Sequence, residues 1–181
     1  PEEVAAAFDQ LEQAGKVRHF GVSNQNPMMM ELLKTAVKQP LKVNQLQLSA
    51  AFTPSFEAGF HVNMEGAKAA VRDGSVFEYC RLTDTVIQAW SVLQHGYFKG
   101  NFVGKEEFAA LNHVLNDLAK KYQVTPTAIA LAWVLRYPGK MQAVIGTTKP
   151  QHVLEAGKAA AVTLTRKEWY QIYLAAGNDL P

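Results

Sequence analysis

Apolar residues recur along this chain with two periods that take turns. Val4, Ala7, Phe8, Leu11 and Ala14 are spaced by three and four, which predicts a helix. Pro1, Glu2 and Glu3 suit its first turn, where a missing N–H costs nothing and acids meet the positive end of the dipole. Gly15 is expected to cap it, and the apolar segment 17–23 reads as a short buried strand. Asn26 and Pro27 open a second helix whose stripe is Met29, Leu32, Leu33, Ala36 and Val37, stopped by Pro40. Residues 43–48 alternate as a strand does, with Val43, Gln45 and Gln47 on one face and Leu46 and Leu48 on the other. Residues 50–74 have little pattern. A short helix over 75–82 follows, with Val76, Tyr79 and Cys80 expected inward. Residues 86–91 form a third predicted strand, and 94–104 are dotted with glycine. A long helix is predicted near 105–122, another from Thr125-Pro126 to Pro138-Gly139, and a fourth strand at 143–147. A short helix begins near Pro150. The last helix has a capping box, Thr165 with Glu168, and a stripe of Trp169, Ile172, Tyr173 and Ala176.

Helix and strand alternate four times, and no strand pair has a hairpin signal. That order predicts an α/β unit over residues 1–181, with four parallel strands, right-handed crossovers and helices outside. Composition changes this picture only by exclusion. With 48% hydrophobic and 19% charged residues, disorder and fibrous classes are out. No apolar run reaches the ~18–20 residues that span a bilayer. A net charge of +2 does not point to nucleic acid or an anionic membrane as a bulk partner. The lone Cys80 has no partner for an internal bridge, and a reducing, cytoplasmic setting is expected.

The connections differ in length. Helix-to-strand links are short, whereas two strand-to-helix links, 50–74 and 94–104, are long. Ligands in parallel α/β folds bind outside the carboxyl ends of strands. The site is therefore expected among Ser23, Asn24, Gln45, Trp90, Ser91 and the run Gly146, Thr147, Thr148, Lys149. GTTKP (146–150) leads from a strand into a helix start, which favours a phosphate; it also fits an ordinary turn. Trp90 at a strand end suits either core packing or stacking on an aromatic ligand. Asn24, Gln45 and Gln47 offer both halves of an amide pair, although Gln47 fits a capping role better. No Cys, His, Asp or Glu grouping has metal-ligand spacing. Cys80 and His19 read as structural residues, His19 in mid-strand, and His113 as a surface residue.

GKVRHFGVSN (15–24), VNQLQLS (43–49), QAWSVL (88–93), ALAWVLRYP (130–138) and VIGTTKPQHV (144–153) resemble the aldo-keto reductase family in order and spacing. The ending LTRKEWYQIYLAAGNDLP (164–181) is similar to that of its bacterial YdhF-like branch. The resemblance implies a (β/α)8 barrel, of which this chain is the carboxyl-terminal half. It implies NADPH-dependent reduction of an aldehyde or ketone. Ser23, Asn24 and Gln45 would hold the nicotinamide carboxamide, and Trp90 would stack on its ring. Ser91 and Leu93 would approach the pyrophosphate. Gly146, Thr147, Thr148, Lys149 and His152 would surround the 2′-phosphate.

Three residues depart from the family pattern. Val92 replaces a usual proline, which would loosen the turn. His152 replaces a frequent arginine and Ala156 an asparagine, so NADH is possible beside NADPH. The family's Asp–Tyr–Lys–His tetrad belongs to the amino-terminal half, so the resemblance implies no catalytic residue here and an inactive isolated chain. His61, His95, Tyr97 and Lys99 lie on the long loops and fit surface or pocket-wall roles better than a replacement acid. A half barrel has bare edge strands. The missing amino-terminal half or a second copy would close it. A non-catalytic nucleotide-binding or assembly module is the alternative.

Overall fold

The computed structural model describes residues 1–60, 75–96 and 99–179. In chain order the elements are α1 (Glu2–Gln13), β1 (Phe20–Ser23), α2 (Pro27–Lys34), β2 (Leu41–Gln47), α3 (Pro54–Phe60) and α4 (Val76–Leu82). They continue with β3 (Val86–Trp90), α5 (Ala109–Tyr122), α6 (Pro126–Leu135), β4 (Met141–Ala143), α7 (Pro150–Gly157) and α8 (Arg166–Ala175). The strands form one sheet in the order β1-β2-β3-β4, and every pair is parallel.

Local chemistry starts the helices where expected. The Asn26 side chain accepts from the Met29 amide, Thr125 from Ala128 and Thr165 from Glu168, each bond filling an orphan donor of a first turn. Gly15 adopts a φ of +68° just past α1, and its amide and that of Lys16 close the last turn on Glu12 and Leu11.

The sheet has one covered face. Leu46, Leu48, Ile87 and Ala89 point into a core shared with Leu111, Leu115, Ile129, Leu131, Trp133 and Tyr173 of α5, α6 and α8. Seven consecutive residues of α6, Ala128 to Val134, are buried, so this helix is wrapped on all sides. Trp133 and Trp169 stack 4.8 Å apart, and each indole N–H donates to the other residue's carbonyl at 3.0 and 3.1 Å. On the opposite face Ser23, Val43, Gln45, Val86, Gln88, Trp90 and Gln142 are half-buried or exposed.

Several elements differ from expectation. β1 starts at Phe20, not residue 17; His19 is exposed ahead of the strand rather than within it. The pairing slips between Phe20 and Gly21, which meet Leu41 and Val43. Gly21 permits that approach, since a Cβ there would stand 2.7 Å from the Val43 Cβ and carbonyl oxygen. β2 begins two residues early, at Leu41. β4 covers Met141–Ala143 rather than 143–147, because β3 ends at Trp90 and turns away at Ser91. The last bond of that ladder is the Val144 amide to the Ala89 carbonyl, 2.8 Å. In α2 the inward side chain is Met30, with Val37 beyond the helix, while Met29 and Leu32 face out. Phe77, fully buried, accompanies Val76 and Cys80 in α4. Within 50–74 the described part includes α3, whose Phe56 joins the aromatic cluster of Phe77, Trp133 and Tyr137.

Candidate functional site

The carboxyl ends of the four strands converge on the less covered face. Asn24 and Ser91, directly after β1 and β3, both take left-handed backbone conformations, φ 53° and 51°. That region is uncommon for residues other than glycine and turns each chain sharply as it leaves the sheet. The Asn24 amide donates to the Gln45 carbonyl at 2.9 Å, and the Ser23 hydroxyl donates to the same oxygen at 3.2 Å. The Trp90 indole N–H points to Asn24 Oδ1, 3.4 Å away. Ser23, Asn24, Gln45 and Trp90 therefore form one connected group, as expected from their places at strand ends.

Register brings a second set of polar groups together. Ser23, Gln45, Gln88 and Gln142 are successive partners across all four strands. Gln45 Nε2 donates to Gln88 Oε1 at 3.1 Å, and Gln88 Nε2 donates to Gln142 Oε1 at 2.9 Å. One row further along, Gln47 stands opposite Trp90 and is 7% exposed. Its Nε2 and the Oε1 of Gln94 are buried without a hydrogen-bond partner among the described residues.

Beside Trp90 lies a cleft of about 510 Å³. Of the expected residues, Trp90, Ser91, Leu93, Gly146, Thr147 and His152 line it. Thr148 and Lys149 do not, and Ser23, Asn24 and Gln45 adjoin it only through Trp90. Thr147 Oγ1 accepts from the Lys149 amide at 3.2 Å and lies 3.4 Å from His152 Nδ1. Lys149 is the N-cap of α7 and makes no side-chain cap bond, and Pro150 takes the first helical position. The 146–152 stretch thus presents a hydroxyl, an imidazole and a cation around a helix start, a setting suited to an anion.

The Val92 departure does not loosen its turn. The Gln94 amide closes on the Ser91 carbonyl at 2.8 Å, and Val92 is buried in the core at 3% exposure. Sequence reading missed the cleft's outer wall, Thr127 and Leu131 of α6, along with Asn101, Val144, Ile145 and Glu155. Only Glu155 had a local signal, three residues after His152 on the same helix. Ala156, read as a departure, also lines the wall.

Of the loop candidates for a replacement acid, His61 and Tyr97 lie outside the described residues. The His95 ring packs 4.8 Å from that of Phe108, a structural contact, and Lys99 is exposed. His113 is exposed and pairs with Asp117 at 3.2 Å. Cys80 is buried, and burial pushes its thiol up to about 11, so it is no nucleophile at neutral pH. Among the described residues no three His, Cys, Asp or Glu side chains assemble as a metal set, and no helix is long and apolar enough to cross a membrane.

Residues 1–175 match the family model described as the aldo/keto reductase family. The chain is similar to a 6-dehydroglucose reductase of Agrobacterium fabrum, 33% identical over an alignment of 181 residues that covers 99% of this chain and 54% of that one. It is also similar to the oxidoreductase YdhF of Escherichia coli, 32% identical, with 99% and 54% covered. A solved aldo-keto reductase from Klebsiella pneumoniae in complex with NADPH superposes with a TM-score of 0.70 at 21% identity, over 94% of this chain and 52% of that chain. The chain spans about half the length of the curated relatives it matches. Its four parallel strands with helices outside are the architecture of half a (β/α)8 barrel.

Proposed function

This chain belongs to the aldo/keto reductase family, and we propose that it forms the cofactor-holding side of an NADPH-dependent reductase of aldehydes or ketones. The observation that carries the reading is the Trp90–Asn24–Gln45 group at the strand ends, which borders the cleft through Trp90. The donor set fits the cofactor. Trp90 offers an aromatic face at the mouth of the cleft, suited to a nicotinamide ring. Asn24 and Gln45 supply amide donors and acceptors of the kind a carboxamide needs. The turn at Ser91 and Leu93 suits a pyrophosphate. Thr147, Lys149 and His152 suit a 2′-phosphate, and the Glu155 carboxylate suits an amine-bearing base. NADPH, once bound, supplies a hydride for a carbonyl carbon.

The residues here would orient the cofactor and shield one face of its ring. A proton must also reach the carbonyl oxygen, since the alkoxide is otherwise unstabilised. We assign that step to an Asp–Tyr–Lys–His set on the other half of a barrel, which would pair with β4 and β1 and close over the open face. The 181 residues alone are then expected to bind cofactor and not turn over. His152 in place of a guanidinium fork leaves NADH as a weaker competitor. An assembly module that binds nucleotide without chemistry is the second reading. It is favoured by the outer edges of β1 and β4, which pair with no strand among the described residues, and by an α1 with no buried residue.

The test is a titration with NADPH, followed by quenching of tryptophan emission and enhancement of the nicotinamide emission. Saturable binding is expected, weakened at least about fivefold by Trp90→Ala, the low end for loss of a stacking ring. Absent saturation, or unchanged affinity in Trp90→Ala, would overturn the reading. Supplying the other half of the barrel then separates the two alternatives: carbonyl-dependent NADPH consumption identifies the enzyme, and silence identifies the module.

A further inference from the structure

Thr147 and His152 share a hydrogen bond whose direction depends on a proton. Thr147 Oγ1 lies 3.4 Å from His152 Nδ1 and accepts from the Lys149 amide at 3.2 Å. A hydroxyl has one hydrogen to give and two lone pairs to receive. The Lys149 amide takes one lone pair, which leaves Thr147 the other and its hydrogen. His152 Nε2 has no hydrogen-bond partner among the described residues, and His152 lines the cleft together with Thr147.

Each protonation state of the ring allots these groups differently. In one neutral tautomer the Thr147 hydrogen is spent on Nδ1, and Nε2–H is an uncharged donor. In the other Nδ1–H donates to Thr147, and Nε2 is left as an acceptor, which an anion repels. In the imidazolium both nitrogens donate. Thr147 then receives from Nδ1–H and from the Lys149 amide, and its own hydrogen is free. Either neutral form leaves one donor for an anion; the imidazolium leaves two and a positive charge.

We propose that His152 is a specificity-determining residue whose protonation raises the preference for NADPH over NADH, the imidazolium and the Thr147 hydroxyl together engaging the 2′-phosphate. The inference rests on the cofactor reading above. Histidine changes charge between pH 5 and 8, so the preference grows as pH falls through that range. Glu155, three residues further along α7, lines the same cleft and accepts from Gln151 at 3.1 Å. It faces both cofactors alike and cancels in a comparison of the two. Lys149 stands at the N-cap of α7 and Lys158 is exposed in the 3-10 turn after it. Lysine ammonium groups do not titrate in that range, so their contribution is constant. The α6 wall, Thr127 and Leu131, and the turn over 91–94 carry no charge.

The test is the ratio of dissociation constants, NADH over NADPH, at pH 8 and pH 6.5, both above the second ionisation of a phosphate monoester near about 6. In wild type the ratio should rise by about threefold on acidification, the yield of a half-protonated imidazole whose charge is worth about fivefold in affinity. His152→Gln offers a neutral donor that ignores pH and should show no rise. Thr147→Val should lose more NADPH affinity at pH 6.5 than at pH 8, and Thr147→Ser should restore the wild-type profile. A wild-type ratio that does not rise, or a rise that persists in His152→Gln, would overturn the assignment to His152 while leaving cofactor binding intact. An equal loss in Thr147→Val at both pH values would overturn the part given to the hydroxyl. Failure of wild type to bind NADPH at either pH would overturn the cofactor reading, and this inference with it.

Discussion

Replacing Glu168 with glutamine should remove a defined part of the protein's acid sensitivity. Glu168 sits at the third position of α8, its side chain 9% exposed. Its Oε2 accepts from the Thr165 amide and hydroxyl, both at 2.7 Å, and from the Tyr122 hydroxyl at 2.8 Å. Its Oε1 accepts from Lys121 Nζ at 2.6 Å. Burial alone would raise its pKa. The Lys121 bond, the two Thr165 bonds and the Tyr122 bond together outweigh burial and hold the carboxyl down at about 2, from an ordinary 4.5. Because the folded value lies below the unfolded one, the associated stability is fully present above pH 4.5 and is lost as pH falls toward 2. A difference of that size corresponds to about 3 kcal/mol. In Glu168→Gln, one amide oxygen must serve donors that a carboxylate served with two, and Lys121 faces an N–H₂. The variant should lose about 2–3 kcal/mol at pH 7. The assay is urea unfolding followed by tryptophan emission at pH 7, 5, 4 and 3. The gap between wild type and variant should narrow steadily below pH 5, since other carboxylates titrate equally in both. A gap that stays constant down to pH 3 would refute the assignment of that stability to the ionised Glu168.

Cys80, 1% exposed and with its thiol held near 11 by burial, should not react with an aromatic disulfide reagent at pH 8 until urea unfolds the chain. Stoichiometric labelling of native protein within minutes would contradict the burial. Lys149→Ala should weaken NADPH by about fivefold and leave NADH nearly unchanged, the size expected for an exposed charge pair at low salt. Equal losses for both cofactors would remove Lys149 from the 2′-phosphate.

Sequence and structure agree at the helix ends, which depend on neighbours in the chain. The caps at Asn26, Thr125 and Thr165 and the glycine stop at Gly15 needed only local residue chemistry, and all four are present. Strand ends were less legible because they depend on what lies alongside. Among the described residues β1 and β4 have a partner on one side only, and each is shorter than its apolar run. The inward face of α2 was ambiguous for a simpler reason: three methionines in a row allow two apolar stripes, and the sheet chose the one through Met30. At the site, the members that follow strands were foreseeable from strand order alone. Thr127 and Leu131 were not, since a helix wrapped on all sides gives no sign of which residues border a cleft. The amide row was half visible. Alternation puts Gln45 and Gln88 on the same kind of face, but only the pairing register makes them partners.

Within β2 and β3, neighbouring residues answer to different demands. Asn44, Leu46, Ile87 and Ala89 are buried on the helix side, while Gln45, Gln88 and Trp90 look the other way. Variation can therefore be inherited on one set without disturbing the other. A lineage can exchange the side chains of the open face at every second position while the alternate positions keep the scaffold standing. Changes of preference then need not pass through poorly folded ancestors, which is how one barrel comes to host many chemistries.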